Sequence, residues 1–341
     1  MSPLLVLLLA ASPTVHRAEL VTRSVDGVRL AIREVRPARL RPGVEPIILL
    51  HGARVPGIGS FDLSVPGGSL AADLAERLGA RVYVPDVRGY GRSERPAAME
   101  RPPGESRPLS RSHEVVRDVD AVVRQVLART GARQVTLVGW ATGGLWAGHY
   151  AALWPERVGH LILLNALYGG SAVHPMVGPG SSFADPKQPD RLSPELGGYA
   201  RADAAALLRP WDRSLGPDPA TRRDPAVAEA YAREALASDP ESGATSPPSM
   251  RAPLGALEDS FVQASGRRLY DAGSITAAVL LVRGANDFWS RPEDLQAFAH
   301  DATRARSVRV VEIPGASHFL HLERPEAGRA RFLDAVAEAL R

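Results

Sequence analysis

Short apolar runs alternate with helical patterns along most of this chain. The runs are rich in β-branched residues and predict buried strands at 46–50, 81–85, 134–138, 158–165, 276–282 and 308–313. Apolar residues at helical spacing predict helices at 69–78, 112–130, 141–153, 291–300 and 325–340. An opening hairpin is predicted from 19–22 and 28–35, around the turn Asp26-Gly27. This alternation predicts an α/β fold, a doubly wound and mostly parallel sheet covered on both faces.

The alternation breaks between Tyr168 and Gly273 into stretches rich in Gly, Pro and Asp. An interruption of this length inside a sheet is better explained by a folded unit than by a loop, so we predict a helical lid insertion over 168–274. For 239–251, where Met250 is the one large apolar residue, disorder is the alternative. The predicted organisation is a core in two parts, 19–167 and 275–341, interrupted by this lid.

The first 18 residues have two interpretations. Leu4 to Ala11 is an apolar run of signal-peptide length, but no basic residue precedes it and Pro13 stands where cleavage would be expected. An N-terminal arm packed on the body explains the run equally well, and a cytoplasmic location is slightly favoured over secretion. A membrane-spanning helix needs about 20 apolar residues, so no membrane span is expected.

Composition excludes several classes of chemistry. The 341 residues are 45% hydrophobic and can bury a large core. The net charge of +3 comes from arginines interspersed with acidic residues, with Lys187 the only lysine, so no nucleic-acid stripe is expected. The absence of cysteine excludes thiolate catalysis and disulfides. The histidines lack partners at metal-ligand spacing, and neither a metal nor another cofactor is expected. The oligomeric state is open.

Residues 139–144, Gly-Trp-Ala-Thr-Gly-Gly, form the most informative local pattern. The pattern is that of a Gly-x-Ser-x-Gly turn between a strand and a helix, with Ala141 where the serine should be. Such a turn lifts its central side chain above the sheet edge, beside helix N–H groups that favour developing negative charge. A methyl group cannot attack a substrate, so the chain as written should lose on the order of 10⁶ in rate if serine chemistry is its reaction.

Four more motifs follow predicted strands. They are His51-Gly52, the run from Asp86 to Ser93, Gly284-Ala-Asn-Asp287 and Gly315-Ala-Ser-His318. With the turn at 139–144, their order along the chain resembles the α/β-hydrolase fold superfamily, in its serine-hydrolase branch with a lid domain. The resemblance spans both parts of the predicted core.

The resemblance implies a role for five positions. Ala141 occupies the nucleophile position, Asp287 is the acid and His318 is the base. The base would take the proton of a serine hydroxyl, and the acid would hold the imidazole tautomer. The oxyanion hole would consist of the backbone N–H groups of Ala53 and Thr142.

Other residues receive weaker assignments. His51 is expected to be structural rather than a general base, and Asp86 and Arg88 are expected to pair with each other within their loop. Packing is favoured over substrate contact for Trp140. The residues proposed to line the substrate pocket are Arg54, Trp140, Tyr168, Trp211 and Phe288.

The predicted function is hydrolysis of small-molecule carboxylic esters or lactones through an acyl-enzyme, with Ala141 marking an inactivated Ser-to-Ala form. One alternative is C–C bond hydrolysis of a diketone by the same triad. Another is a natural, non-catalytic pseudo-hydrolase that binds a ligand. Asp287 and His318 favour an enzyme, because a binding protein would have no chemical use for both.

Overall fold

The computed structural model describes residues 15–216 and 218–341. The predicted arm or signal-like segment lies outside these residues up to position 14. The strands are β1 Val15–Arg23, β2 Arg29–Pro37, β3 Ile47–Leu50, β4 Val82–Pro85, β5 Val135–Trp140, β6 Val158–Leu164, β7 Ala184–Asp185, β8 Gln188–Leu192, β9 Tyr199–Asp203, β10 Ser249–Pro253, β11 Ala278–Gly284 and β12 Ser307–Ile313.

The helices, with several short 3₁₀ turns between them, connect these strands. They are α1 Gly57–Phe61, α2 Leu70–Leu78, α3 Ser112–Thr130, α4 Thr142–Leu153, α5 Ala204–Ser214, α6 Pro225–Ala237, α7 Gly255–Gln263, α8 Pro292–Asp301 and α9 Arg329–Ala339. Over the described ranges, none of them combines the length and the apolar character that crossing a bilayer requires.

A single eight-stranded sheet organises the chain, in the order β1-β2-β4-β3-β5-β6-β11-β12. The hairpin β1–β2 is antiparallel, as is the β2–β4 pair, and every pairing from β4 to β12 is parallel. The central strands β3, β5 and β6 are almost entirely buried, because helices such as α4 pack on them. The predicted α/β class with a mostly parallel sheet is therefore confirmed.

Helix α3 begins at Ser112, as predicted, and the N–H of Arg111 donates to the Glu114 carboxylate at 2.9 Å. The Ser112 hydroxyl is occupied elsewhere, 2.8 Å from Nδ1 of His149. The last helix begins at Arg329 instead of residue 325. Residues 325–327 form one 3₁₀ turn, and Gly328, with a φ of 131°, separates this turn from the α-helix.

The segment 168–274, called the insertion below, contains α5–α7 and also two small two-stranded sheets, β7–β8 and β9–β10. The expectation of a helical insertion was therefore incomplete. Disorder at 239–251 is also the wrong alternative. The buried Asp239 carboxylate accepts from the Arg251 backbone N–H at 2.7 Å and from its guanidinium at 2.9 Å, which fixes this stretch before β10.

Candidate active site

Ala141 lies on a sharp turn between β5 and α4. Its φ of 51° and ψ of −117° are strained for a residue with a side chain. The turn is fixed on both sides, since the Ala141 N–H donates to the Leu164 carbonyl and its carbonyl accepts from the Gly144 N–H, both at 2.9 Å. The predicted strand–turn–helix context is thus present around this position.

Three glycines make the turn sterically possible. A Cβ at Gly139 would collide with the Gly143 carbonyl oxygen, and one at Gly143 would collide with the Leu50 carbonyl oxygen. A Cβ at Gly144 would meet the Ala166 methyl at 2.5 Å. The glycines of the motif therefore serve close packing between the turn and the neighbouring strands.

The structure brings Asp287 and His318 together from different loops. Nδ1 of His318 lies 2.7 Å from the Asp287 carboxylate, and both residues are 6% exposed. That carboxylate also accepts from the backbone N–H groups of Trp289 at 3.0 Å and Ser290 at 2.8 Å, and from the Ser290 hydroxyl. Nε2 of His318 has no hydrogen-bond partner in the described part of the chain.

These contacts favour the ionised form of the Asp287 carboxylate. Burial would raise the pKa of Asp287, but the charge and hydrogen bond of His318, with the donors of Ser290 and Trp289, hold that pKa below its ordinary value. When the imidazole is neutral, the ionised carboxylate accepts its Nδ1 hydrogen. Nε2 then carries the free lone pair that a general base requires.

Asn165, which the sequence motifs did not indicate, joins the two loops. It follows β6 with a φ of 51°, and its side-chain N–H₂ donates to the carbonyl of His318 at 3.0 Å. Its side-chain oxygen accepts from the Gly284 N–H at 2.8 Å. The Trp140 indole N–H also donates to the His318 carbonyl, at 3.0 Å. An Asn after a strand in left-handed conformation was the available signal, but it is shared with many turns.

The loop after β3 lies directly on the turn at Ala141. A Cβ at Gly52 would be 3.3 Å from the Trp140 ring and 3.7 Å from the Ala141 methyl. The Tyr90 hydroxyl fixes this loop by donating to the Ala53 carbonyl at 2.7 Å. Neither the Ala53 N–H nor the Thr142 N–H has an acceptor within 15–216 and 218–341. Both donors are therefore free for a ligand.

His51 has the environment of a structural residue. It is fully buried, its Nδ1 lies 2.8 Å from the Gly52 carbonyl oxygen, and its Nε2 accepts from the Val87 N–H at 3.3 Å. Burial lowers its pKa to about 4. Because both ring nitrogens are occupied by backbone groups, His51 holds two loops at the ends of β3 and β4.

The expected pairing of Asp86 with Arg88 is wrong. The Asp86 carboxylate accepts from the backbone N–H groups of Gly57 at 2.8 Å and Arg92 at 3.0 Å. The Arg88 guanidinium instead bonds Asp118 at 2.7 Å and, on the hairpin turn, a second carboxylate at 2.8 Å. Asp86 closes its own loop, whereas Arg88 ties that loop to α3.

Aromatic side chains surround the His318 imidazole. The Phe288 ring is 4.7 Å from it and the Phe319 ring is 5.2 Å from it, between ring centroids. Trp211, from α5, stacks on Phe319 at 5.0 Å. Arg54 is exposed at the end of the Ala53 loop, with Nη1 3.4 Å from the Ala206 carbonyl in α5. The insertion thus contributes directly to the surroundings of the pair.

Two residues predicted for the pocket have other surroundings. Tyr168 is buried, and its hydroxyl donates to Asp301 at 3.1 Å at the end of α8, with Tyr270 and Phe298 against its ring. Because the Asp301 carboxylate accepts the hydrogen bond of the buried Tyr168 hydroxyl, Tyr168 serves packing rather than ligand contact. Trp140 is 4% exposed and supports His318 through its indole N–H and its ring, which agrees with the packing alternative.

The arrangement therefore combines an imidazole with one unpaired nitrogen, a carboxylate bonded to its other nitrogen and two N–H groups without acceptors among the described residues, while position 141 carries only a methyl group. Within residues 15–216 and 218–341, no cluster of three or more His, Asp or Glu side chains is placed to hold a metal ion.

Comparison with known proteins identifies the family. The sequence model described as alpha/beta hydrolase fold matches residues 45–325. The chain is 31% identical over 127 residues to a triacylglycerol lipase of Pseudarthrobacter phenanthrenivorans, which is 37% of this chain and 34% of that protein. It is 28% identical over 173 residues to the human (lyso)-N-acylphosphatidylethanolamine lipase, 50% of this chain and 43% of that one. These matches thus span less than half the length of either relative.

Solved structures agree in fold. An esterase from Rhodococcus sp. ECU1013 has a TM-score of 0.58 at 21% identity, covering 94% of this chain and 98% of that one. A structure described as an aryl esterase from Burkholderia cenocepacia has a TM-score of 0.56 at 18% identity, covering 95% and 99%. At these identities the similarity establishes the fold alone.

Proposed function

Because this chain belongs to the α/β-hydrolase family, we propose that Asp287, His318 and the turn at Ala141 form the acyl-transfer site of a small-molecule ester or lactone hydrolase. Ala141 stands where that chemistry needs a serine. The chain as written therefore cannot form an acyl-enzyme and should be nearly inactive.

The observation that carries the proposal is the 2.7 Å contact between His318 and Asp287, which leaves Nε2 of His318 free. With a serine at position 141, Nε2 would take the hydroxyl proton as the oxygen attacks the ester carbonyl. The imidazolium would then give that proton to the leaving alkoxide, and water would release the acid by the same steps. Asp287 would stabilise the imidazolium throughout.

The free N–H groups of Ala53 and Thr142 support the same chemistry. A carbonyl carbon attacked from position 141 becomes tetrahedral and places negative charge on its oxygen, which two backbone donors can stabilise. Removing one such donor costs about 10²–10³ in rate in comparable sites. The aromatic rings around His318, including Trp211 of the insertion, support an apolar acyl pocket with the insertion as its lid.

Restoring the hydroxyl tests this proposal. Ala141→Ser should generate hydrolysis of a nitrophenyl acetate and covalent labelling by a fluorophosphonate probe. Ala38→Ser, which adds a serine at an exposed position, is the matched control and should show neither. A folded Ala141→Ser protein that is neither labelled nor active would contradict the proposal.

A ligand-binding pseudo-hydrolase is the second candidate, because the methyl group of Ala141 cannot form a covalent intermediate. The Ala141→Ser variant distinguishes the binding protein from the inactivated enzyme. A natural binding protein would keep its ligand but gain little activity from one hydroxyl, whereas an inactivated enzyme would regain turnover. C–C bond hydrolysis uses the same groups and is tested by offering Ala141→Ser a vinylogous diketone beside the ester.

A further inference from the structure

We propose that Arg54 and Tyr231 form an anion subsite beside the Ala53 loop, so that the ligand of this site carries a carboxylate a short distance from its reactive carbonyl. This inference specifies the substrate class and rests on the ester-hydrolase function proposed above.

The position of Arg54 in the chain places it next to the reacting group. It directly follows Ala53, whose N–H is one of the two free donors and whose carbonyl is held by Tyr90 at 2.7 Å. Its side chain extends from this loop toward α5, where Nη1 is 3.4 Å from the Ala206 carbonyl. That single distance is at the long end for a hydrogen bond, so most of the guanidinium donors remain available.

The charge of Arg54 is not neutralised by the protein. It forms no ion pair with any carboxylate in the described residues. Three carboxylates of neighbouring elements are engaged elsewhere: Asp203 caps α5 at 2.8 Å, Glu323 accepts from an arginine at 2.9 Å, and Asp287 binds His318. The Arg54 guanidinium therefore has no carboxylate partner within the described residues, which favours an anionic ligand.

Tyr231 of α6 supplies a second donor. Its side chain is 3% exposed, yet its hydroxyl has no hydrogen-bond partner in the part of the chain that the structure describes. The hydroxyl can therefore donate to a ligand oxygen. The Tyr231 ring lies 5.7 Å from Trp211 and 6.2 Å from Phe319, so the hydroxyl belongs to the aromatic wall beside His318.

Arg54 acts electrostatically on both tyrosines of this region. Burial raises the pKa of the Tyr90 and Tyr231 hydroxyls, and the positive charge of Arg54 opposes that rise in each case. The Arg54 and Tyr231 side chains also share α5 as a neighbour, since Nη1 of Arg54 is 3.4 Å from the Ala206 carbonyl and the Tyr231 ring is 5.7 Å from the Trp211 ring.

These donors define the chemistry of the ligand. A planar carboxylate can accept two hydrogen bonds from a guanidinium and one from a phenol. The ester carbonyl of the same molecule would reach the Ala53 and Thr142 N–H groups, with the intervening carbons against aromatic rings. Half-esters of short dicarboxylic acids, or lactones bearing a carboxylate, have this arrangement.

Equilibrium binding to the chain as it stands tests the subsite without requiring catalysis. Calorimetry would compare methyl hydrogen glutarate with dimethyl glutarate, which differ in one charge. We expect the half-ester to bind about tenfold more tightly, since hydrogen bonds to a charged carboxylate are stronger than those to a neutral ester. Arg54→Gln should remove most of this preference, Arg54→Lys should keep part of it, and Tyr231→Phe should reduce it.

Arg36→Gln is the matched control. It makes the same charge change at an exposed position near the end of β2, and it should leave the preference intact. Equal affinity for the two ligands, or no binding of the half-ester at millimolar concentration, would overturn the subsite. So would an Arg54→Gln protein that weakens both ligands equally, because that is the signature of a strut between the Ala53 loop and α5.

The same ligands separate this inference from the proposed function. If Ala141→Ser hydrolyses both glutarate esters at equal kcat/KM, the hydrolase assignment holds and the subsite is wrong. If the half-ester binds selectively but Ala141→Ser is neither active nor labelled, the subsite holds and the chain is a binding protein.

Discussion

His318 and His321 lie three residues apart but have opposite environments. His318 has one nitrogen on the Asp287 carboxylate and the other free. His321 is fully buried against Trp140, at 4.4 Å between rings, and neither of its nitrogens has a hydrogen-bond partner among the described residues. Burial, and then the positive charge of Arg329, lower the pKa of His321 well below its ordinary value. His321 is therefore a neutral packing residue, without the oriented lone pair of a base.

This contrast gives a prediction at the scale of single residues. In Ala141→Ser, His318→Ala should abolish fluorophosphonate labelling and lower ester hydrolysis by about 10³–10⁶, because no other base reaches the hydroxyl. His321→Leu should retain most of the rate, since replacing an unpaired buried polar group by an apolar one is nearly neutral. Circular dichroism and thermal unfolding would establish that both variants fold. Equal losses of ester hydrolysis from the two substitutions would show that His318 is not the base.

At this scale, the sequence predicted the contact between Asp287 and His318, because each stands in a motif after a strand and the motifs follow the order of a known family. Their catalytic roles stay a prediction. Asn165 and Tyr90 each act through hydrogen bonds to groups far away in the chain. A single polar residue after a strand has no pattern, because its partners are chosen by tertiary packing alone.

At the scale of elements, the turn between β5 and α4 depends on close contact with β3. Gly143 lies against the Leu50 and His51 carbonyl groups, and no side chain fits there. Gly104, in a short 3₁₀ turn, has nothing within 4 Å of the position that a Cβ would take.

Substitution by alanine should change the free energy of unfolding by very different amounts at these two glycines. Gly143→Ala should lower the free energy of unfolding by more than about 3 kcal/mol, because backbone atoms of β3 and α4 must move apart. Gly104→Ala should change it by less than about 0.5 kcal/mol. Urea unfolding, followed by tryptophan fluorescence, measures both. A Gly143→Ala protein of unchanged stability would show that the turn is looser than its contacts indicate.

The core elements could be predicted and the insertion could be predicted only in part. Strands such as Ile47–Leu50 are buried on both faces, so each appears in the sequence as a continuous apolar run. Strand β8 is largely exposed and polar, and β10 is held by the ion pair of Arg251 with Asp239. Long-range ion pairs leave no periodic pattern in the sequence, which is why the stretch at 239–251 resembled disorder.

At the scale of the whole molecule, several histidines are kept neutral by the fold. Burial is the first cause that lowers the pKa of His51, His149, His174 and His321. In the unfolded chain each of these would titrate near 6.5. In mildly acidic solution these histidines are therefore protonated in the unfolded chain but neutral in the folded protein.

The free energy of unfolding should fall as the pH decreases below 6.5. A histidine whose folded pKa is depressed contributes its full stabilisation above the unfolded pKa, and this is lost as the pH falls toward the folded value, about 4 for His51. Each such histidine contributes a slope of up to about 1.4 kcal/mol per pH unit. Burial raises the pKa of Asp86, Asp118 and Asp259, which act in the opposite direction, so the histidine contribution is measured by comparing a histidine variant with its parent.

Urea unfolding at half-unit steps from pH 7.5 to 5.5 measures this slope. His321→Leu removes one of the two fully buried histidines and should reduce the slope by up to about 1.4 kcal/mol per pH unit, while raising or preserving stability at pH 6. The comparison is internal, because the variant and its parent share every other titrating group. If the free energy of unfolding is flat across this window, or if His321→Leu leaves the slope unchanged, these histidines take up protons in the native state and their burial does not exclude charge.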